Sequence, residues 1–491
     1  MATVAAVSVV LRPEGLTRDD VVAVARNGAG ARLSEEAVAA MAATRAHVEG
    51  LAASAEPVYG ISTGFGGLAT RRIPPEHRAR LQRSLIASHA AGMGESVEPE
   101  VVRAMVLLRA RTLATGITGA RPELAAALLD LLDDGRLPEV PEFGSLGCSG
   151  DLAPLAHVAT ALDLTLEAKE GLALVNGTDG MLGMLVLSCA DLAGLLRAAD
   201  VAAAMSVEGL LGTDRAFAAE LVALRRHPGQ QASAANIAAL LAGSAIVASH
   251  RTDDPRVQDA YSLRCAPQVH GAARDALAFA DTCADNELAS AIDNPVVLAD
   301  GRVESVGNFH GAPLAHACDL LAIVVADVAA MSERRTDRFL DAARSHGLPP
   351  FLAHEPGVDS GLMIAQYTAA ALVAECRRLA VPASADTIPT SAMQEDHVSM
   401  GWSAARKLRT ALTHLARVLA VELLTAARGI DLRSPLTPAP ATGAVRDALR
   451  AGGVGPPGPD RLLAPELAAA AGLVDDGTVV RAAEREVGAL A

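Results

Sequence analysis

In residues 402–428, Leu408, Leu412, Leu415, Leu419 and Leu423 recur at offsets of three and four. Such spacing returns a side chain to the same face of an α-helix at every turn, and here it persists for about four turns. Gly429 is placed to close the run. Residues 314–340 repeat the pattern through Leu320, Val324, Val328 and Met331. Helices with apolar faces this wide bury them against one another, so the pattern predicts a bundle. It also predicts an oligomer, because one subunit cannot hide so much apolar surface. Aromatic residues make up only 2% of the chain, and a core filled by Ala, Leu and Val favours close helix-on-helix contact over sheets. No internal repeat and no strand series stands out. The fold class expected is mainly α: a long-helix central bundle with a smaller N-terminal part, mixed but mostly helical. Residues 1–190 and 191–491 are the expected division, the first carrying a conspicuous glycine-rich loop and the second the bundle and C-terminal helices.

Punctuation along the chain supports this reading. Thr17 and Ser34, each followed by acidic residues, are helix N-caps and predict helices over 17–27 and 34–54. Further helices are expected over 75–91, 97–115 and 122–134. Two glycine-rich stretches interrupt them, VYGISTGFGGLATRR at 58–72 and GSLGCSGDLAPLAH at 144–157. Asp151 in the second can cap the helix that follows, whose first turn holds Pro154. Residues 434–459, rich in Pro, Gly and Ala, read as a loop before a short terminal helix.

The totals exclude several functions. A formal net charge of −15 argues against a nucleic-acid partner, which needs a basic surface to displace counterions. Cysteines 148, 189, 265, 283, 318 and 376 include no Cys-x-x-Cys pair, so neither a zinc site nor a disulfide framework is expected. The start MATVAAVSVVLRPEG lacks the basic region of a secretory signal. The apolar run LLAIVVADVAAM is broken by Asp327 and falls short of a membrane span. A reducing cytoplasm, with no membrane partner, is the expected home.

Chemistry concentrates in a few polar clusters. A hydrolase elbow needs Gly-x-Ser-x-Gly on a strand-to-helix turn, but Gly147-Cys148-Ser149-Gly150 brings the second glycine one place too early. No pair of histidines has the i, i+4 spacing of a helical metal site, so no metal is expected. Gly60, Gly64, Gly66 and Gly67 lack the Lys-Ser/Thr ending of a phosphate loop. The remaining clusters are Tyr59 in the first glycine loop, Ser88-His89, LVNGTDG with Asn176, VQDAYSLRCAPQV at 257–269, ESVGNFHG at 304–311 and SAMQEDHVSMG at 391–401. Singly, each reads as a turn between helices. Together they read as the parts of one polar pocket drawn from distant segments.

YGISTGFG, SHAAGMG, GSLGCSGDLAPLAH, KEGLALVNGT, QDAYSLRCAPQV, DNPVV, GNFHG and QEDHVSMG, in this order across nearly the whole chain, resemble the ammonia-lyase family that uses a methylidene-imidazolone prosthetic group. The resemblance implies an ammonia-lyase/fumarase-like fold, a homotetramer with active sites shared between subunits, and no diffusible cofactor. It implies that Cys148-Ser149-Gly150 cyclises into 4-methylidene-imidazol-5-one (MIO). The Gly150 nitrogen would attack the Cys148 carbonyl carbon with loss of water, and Ser149 would lose its hydroxyl as a second water. The product is an electrophile that makes a substrate amine a better leaving group. By the same resemblance, Tyr59 is the base or a relay beside it, Tyr261 handles the proton on the amine, and Arg264 holds the substrate carboxylate. Asn176 and Gln258 hydrogen-bond around the prosthetic group and carboxylate, and Phe309 lines the pocket.

By the same resemblance, His89 and Glu395, with Gln394 beside it, are expected to select the side chain. A phenyl ring would leave a buried His and Glu unpaired, at a cost of roughly 1–3 kcal/mol per group. The implied reaction is elimination of ammonia from L-histidine to give trans-urocanate. Glu395 is an alternative to Tyr59 as base. Another amino acid as substrate, an aminomutase, and a non-catalytic helical oligomer are the alternatives. The sequence departs from the family's pattern in four places. Cys148 stands for a usual Ala and brings a thiol, with redox sensitivity expected. Ser62 and Met393 each stand for a usual Asn. The link between His157 and Lys169 is short, and if the missing excursion is only a surface flap, Asn176 still reaches the pocket.

Overall fold

The computed structural model describes residues 8–54, 57–252, 254 and 256–491. The opening MATVAAV, part of the secretory-signal reading, lies outside the described residues. Helix dominates, beginning where the caps place it. The Thr17 hydroxyl accepts from the Asp20 N–H and the Asp20 carboxylate accepts from the Thr17 N–H, a reciprocal box that starts the helix Arg18–Arg26. The Ser34 hydroxyl does the same for Ala37 at the start of Glu35–Ala53. Pro99 and Pro122 open two more helices, Pro99–Ala114 and Pro122–Asp133, at the first-turn position where a missing N–H costs nothing.

Internal packing divides the chain into two compact units. One combines the residues through Ser188 with Ala280–Asp319 and Pro382–Arg406; the other combines Cys189–Phe279, Leu320–Val381 and Lys407–Ala491. Two segments well beyond residue 190 thus pack with the N-terminal part. Four of the five boundaries fall inside the long helices Asp179–Gly209, Ala266–Ala289, Ala312–Leu340 and Gly401–Asp431, and the fifth, between Val381 and Pro382, follows the helix Met363–Leu379.

In the first unit, Pro99–Ala114 is buried along nearly its whole length, with Arg109 and Arg111 buried alongside its apolar residues. Three two-stranded ribbons decorate this unit: Ser8–Leu11 with Gly30–Leu33, Met93–Ser96 with Pro141–Phe143, and Val296–Val297 with Val303–Glu304. In the second unit, Leu408, Leu412, Leu415, Leu419 and Leu423 are all buried, so the stripe faces the core as its spacing requires. A buried pair, Arg335 with Glu422, is completed by the hydroxyls of Ser206 and Ser332.

Several expectations change. The helix Gly401–Asp431 runs past Gly429, which sits inside it against the Phe339 ring, where a Cβ would press on the aromatic edge. In Ala312–Leu340 the fully buried stripe is Leu314, Cys318, Leu321, Val325 and Val328; Leu320, Val324 and Met331 are only half-buried. This helix is apolar on two faces, and spacing alone picked the less buried one. Residues 440–451, expected as loop, form the helix Pro440–Ala451 with Pro in its first turn, and two helices follow it, Ala464–Asp475 and Thr478–Val487. Among the described residues, three helical stretches, 170–209, 312–340 and 401–431, are long and apolar enough to cross a membrane, which the broken apolar run did not suggest. Most of each apolar stretch is buried inside the folded chain.

Candidate active site

The loop 144–150 is gripped from both sides by other parts of the first unit. On the near side, the Leu146 carbonyl accepts from Met400 N–H at 2.8 Å, and the Gly147 carbonyl accepts from the Ser399 hydroxyl at 2.7 Å and Gly311 N–H at 3.2 Å. On the far side, Asp151 N–H donates to the Gly177 carbonyl at 2.7 Å. Gly150 lies between these holds at φ +79°, and a Cβ there would collide with the Gly177 backbone. Only glycine fits a left-handed position pressed against another chain segment. The nitrogen of this residue is the nucleophile that a ring closure would need.

Asp151 performs a different task from the one its position suggests. It is the N-cap residue of Leu152–Ala159 but makes no side-chain cap bond there. Its fully buried carboxylate instead accepts from Gly180 and Met181 N–H, each at 2.9 Å, and from the Ser145 hydroxyl at 2.8 Å. It therefore ties the loop to the first turn of Asp179–Gly209, where backbone N–H groups and the helix dipole favour an acceptor. Burial outweighs these contacts and pushes its pKa up to about 7. An unfolded Asp titrates near 3.9, so the folded state holds this proton more tightly. The stability so gained is full below about pH 4 and is lost as pH rises through about 7. Asp151→Ala should cost about 2–4 kcal/mol at pH 6, because three buried donors lose their acceptor. It should also flatten the pH dependence of the denaturation midpoint between about pH 4 and 7.

The reactive face is organised by Glu395. Its carboxyl accepts from the Ser149 hydroxyl at 3.0 Å, the Cys148 thiol at 3.2 Å and the Thr390 hydroxyl at 2.7 Å. The Thr390–Glu395 backbone pair closes the turn that presents it. Ser391 in that turn accepts from Gly67 N–H at 3.3 Å, and the neighbouring Gly66 N–H donates to the Tyr59 hydroxyl at 3.2 Å. Tyr59 is thereby brought to the same side of the unit as the loop. His89, at the end of Arg78–His89, lies close enough to feel the Glu395 charge, and Ser88 bonds its Nδ1 at 3.1 Å. Burial holds the His89 pKa below the ordinary value, which keeps the ring neutral at neutral pH. Burial, helped by the Glu395 charge, pushes the Cys148 thiol up to about 12. Thiolate is the reactive form, and here the Cys148 thiol is a hydrogen-bond donor to Glu395.

Asn176 arrives on a short helix, Glu170–Val175, anchored by buried ion pairs. Lys169 meets Asp293 at 2.5 Å with both side chains fully buried, and Arg121 meets Glu170 at 2.7 Å. Arg109 bonds the Ala173 carbonyl at 2.9 Å and Asp179 at 3.0 Å. Asn176 Nδ2 then donates to the Ser149 carbonyl at 3.1 Å, while its buried Oδ1 has no hydrogen-bond partner among the described residues. The short link after His157 leaves this contact intact, its far end being held by Arg121 on the Thr165 carbonyl and Arg45 on the Ala168 carbonyl. The glycine-rich cradle, the Asn176 arm and the unpartnered Asn176 oxygen fit a ring built from residues 148–150.

The other anticipated residues are placed differently. Gln258, Tyr261 and Arg264 belong to the second unit; Gln258 and Tyr261 are exposed, and Arg264 stacks on the Tyr261 ring at 4.6 Å and bonds the Asp259 carbonyl. Phe309 is half-buried, and Gln394 is exposed beside the Glu395 turn. Ser62 accepts from Val58 N–H at 2.9 Å, and Met393 is exposed at φ +69°. A cavity of about 280 Å³ borders Tyr59, but its other lining residues, among them Leu51, Val58, Pro295, Val303 and Ser305, include no other anticipated site residue. Sequence reasoning did not single out Thr390, Ser145 or Ser399. Ser399 acts through Gly147, 252 residues away, while Thr390 and Ser145 bond carboxyls five and six residues on, and no local motif announces these contacts.

A family model for aromatic amino acid lyases matches residues 16–163 and 162–451. With the helical fold and the gripped Cys-Ser-Gly loop, this makes the chain a carbon–nitrogen lyase. It belongs to the aromatic amino acid lyase family, and the two matched stretches meet within the short link after His157. It is 61% identical to the histidine ammonia-lyase of Streptomyces coelicolor, over 98% of this chain and 99% of that protein. The histidine ammonia-lyase structure from Trypanosoma cruzi superposes with a TM-score of 0.89 at 38% identity, covering 98% of this chain and 96% of that one. A tyrosine aminomutase from Streptomyces globisporus superposes with a TM-score of 0.93 at 35% identity, covering 99% and 100%.

Proposed function

We propose that this lyase eliminates ammonia from L-histidine to give trans-urocanate, using MIO formed from Cys148-Ser149-Gly150. The observation that carries the reading is the Glu395 carboxyl, 3.0 Å from the Ser149 hydroxyl and within electrostatic reach of His89. When formed, the MIO ring supplies the electrophile that turns the substrate amine into a leaving group. Asn176 holds the Ser149 carbonyl and so fixes the plane of the tripeptide. Glu395 places a proton acceptor over the tripeptide, where it can take the β-proton or bond an imidazole N–H. A neutral His89 offers the complementary nitrogen. Arg264 and Tyr261 bind the carboxylate and serve the amine from a neighbouring copy in a homotetramer, which accounts for the exposure of Tyr261. The enzyme works in the cytoplasm without a membrane partner, consistent with six cysteines that form no disulfide.

Product analysis by NMR after incubation with L-histidine separates this reading from an aminomutase. Urocanate and free ammonia are expected; β-histidine would transfer the assignment to the mutase reaction. His89→Leu should lower kcat/KM for L-histidine by about 5- to 150-fold, the cost of one unpaired polar group in the substrate pocket. The ratio of L-phenylalanine to L-histidine turnover should rise in the same variant.

A further inference from the structure

Ser399 belongs to no reacting group, yet it is 4% exposed and both of its hydrogen-bonding roles are used. Its hydroxyl donates to the Gly147 carbonyl at 2.7 Å and accepts from Gly401 N–H at 3.1 Å. Met400 N–H, one residue on, holds the Leu146 carbonyl at 2.8 Å. Two consecutive carbonyls immediately before the tripeptide are thereby fixed to one segment. The space around this hold is closed: a Cβ on Gly147, Gly311 or Gly401 would press on the Met181 thioether.

We propose that Ser399 is a positioning residue for cyclisation of the 148–150 tripeptide, an inference that rests on the MIO reading. Ring closure joins the Gly150 nitrogen to the Cys148 carbonyl carbon, whose oxygen leaves as water; Ser149 then loses its Cα hydrogen and hydroxyl as a second water. The first step needs the Cys148 carbonyl turned toward Gly150. The Gly147 carbonyl lies in the peptide plane that enters Cys148, so pinning it sets the rotation from which that carbonyl is presented. Asp151 and Asn176 hold the opposite end. Gly311 N–H still reaches the Gly147 carbonyl when the hydroxyl is removed, so that acceptor is not stranded. What is lost at Gly147 is the second point that defines the plane.

The test is a time course of intact mass on freshly synthesised full-length protein. Wild-type chain should lose the mass of two waters. Ser399→Ala should fold to the same helical circular dichroism but lose that mass about three- to tenfold more slowly, the factor one ordinary hydrogen bond supplies. Ser399→Cys, which keeps the size and a weaker donor, carries the same comparison if the alanine variant does not accumulate in soluble form. Ser233→Ala removes an equally buried hydroxyl contact, to Asp200 in the second unit, and should dehydrate at the wild-type rate. Wild-type kinetics in the Ser399 variants, or equal slowing in Ser233→Ala, would overturn the positioning role. A wild-type chain that never loses the two waters would instead overturn the MIO reading, and this inference with it.

Discussion

Ser149→Ala should abolish ammonia release while leaving the helical fold and the denaturation midpoint close to those of the unaltered chain. Its intact mass should lack the loss of two waters. The small stability effect follows from the contacts: the Ser149 hydroxyl makes one hydrogen bond, to Glu395, whose carboxyl keeps Cys148 and Thr390 as partners. The catalytic effect is total because alanine has no leaving hydroxyl on its β-carbon, so no electrophile can form at that position. Turnover by this variant at even a few per cent of the wild-type rate would mean that the amine is activated some other way.

Glu395→Gln should reduce kcat by about 10²–10⁴-fold, the range associated with a positioned acid or base. Glutamine keeps the size and one acceptor oxygen, and the Thr390–Glu395 turn is held by backbone bonds that do not depend on the side chain. The variant should therefore fold normally, and a loss confined to kcat would assign proton transfer to this carboxyl. A change in KM alone would restrict Glu395 to recognising the imidazole. Because the Glu395 charge helps to raise the Cys148 pKa, the same substitution should lower that pKa. The rate of Cys148 alkylation as a function of pH would report it.

The bundle was legible because a helix that buries one face must repeat its apolar residues every three or four positions, as Leu408 through Leu423 do. The same rule misplaced the face of Ala312–Leu340, where Leu320 and Leu321 are both apolar and only packing decides between them. The ribbons were invisible, since strands of two to four residues show no alternation. Pro440–Ala451 was hidden by its Pro- and Gly-rich flanks, although Val445 and Leu449, four apart and both buried, carry the helical period. At the site, residues with reactive side chains announced themselves by type and company: Ser149 among glycines, Asn176 in LVNGTDG, Glu395 in QEDH. Asp151 was legible only as a cap for the nearest helix, because its partners Gly180 and Met181 lie 29 and 30 residues away. Positioning groups such as Ser399 and Thr390 are ordinary residues whose role exists only in three dimensions.

The central claim is most directly tested by following near-ultraviolet absorbance while purified protein is incubated with L-histidine, with ammonia measured in the same samples. The account predicts a steady rise of urocanate matched mole for mole by ammonia. A flat trace with L-histidine, alongside a cinnamate-type rise with L-phenylalanine or L-tyrosine, would contradict it.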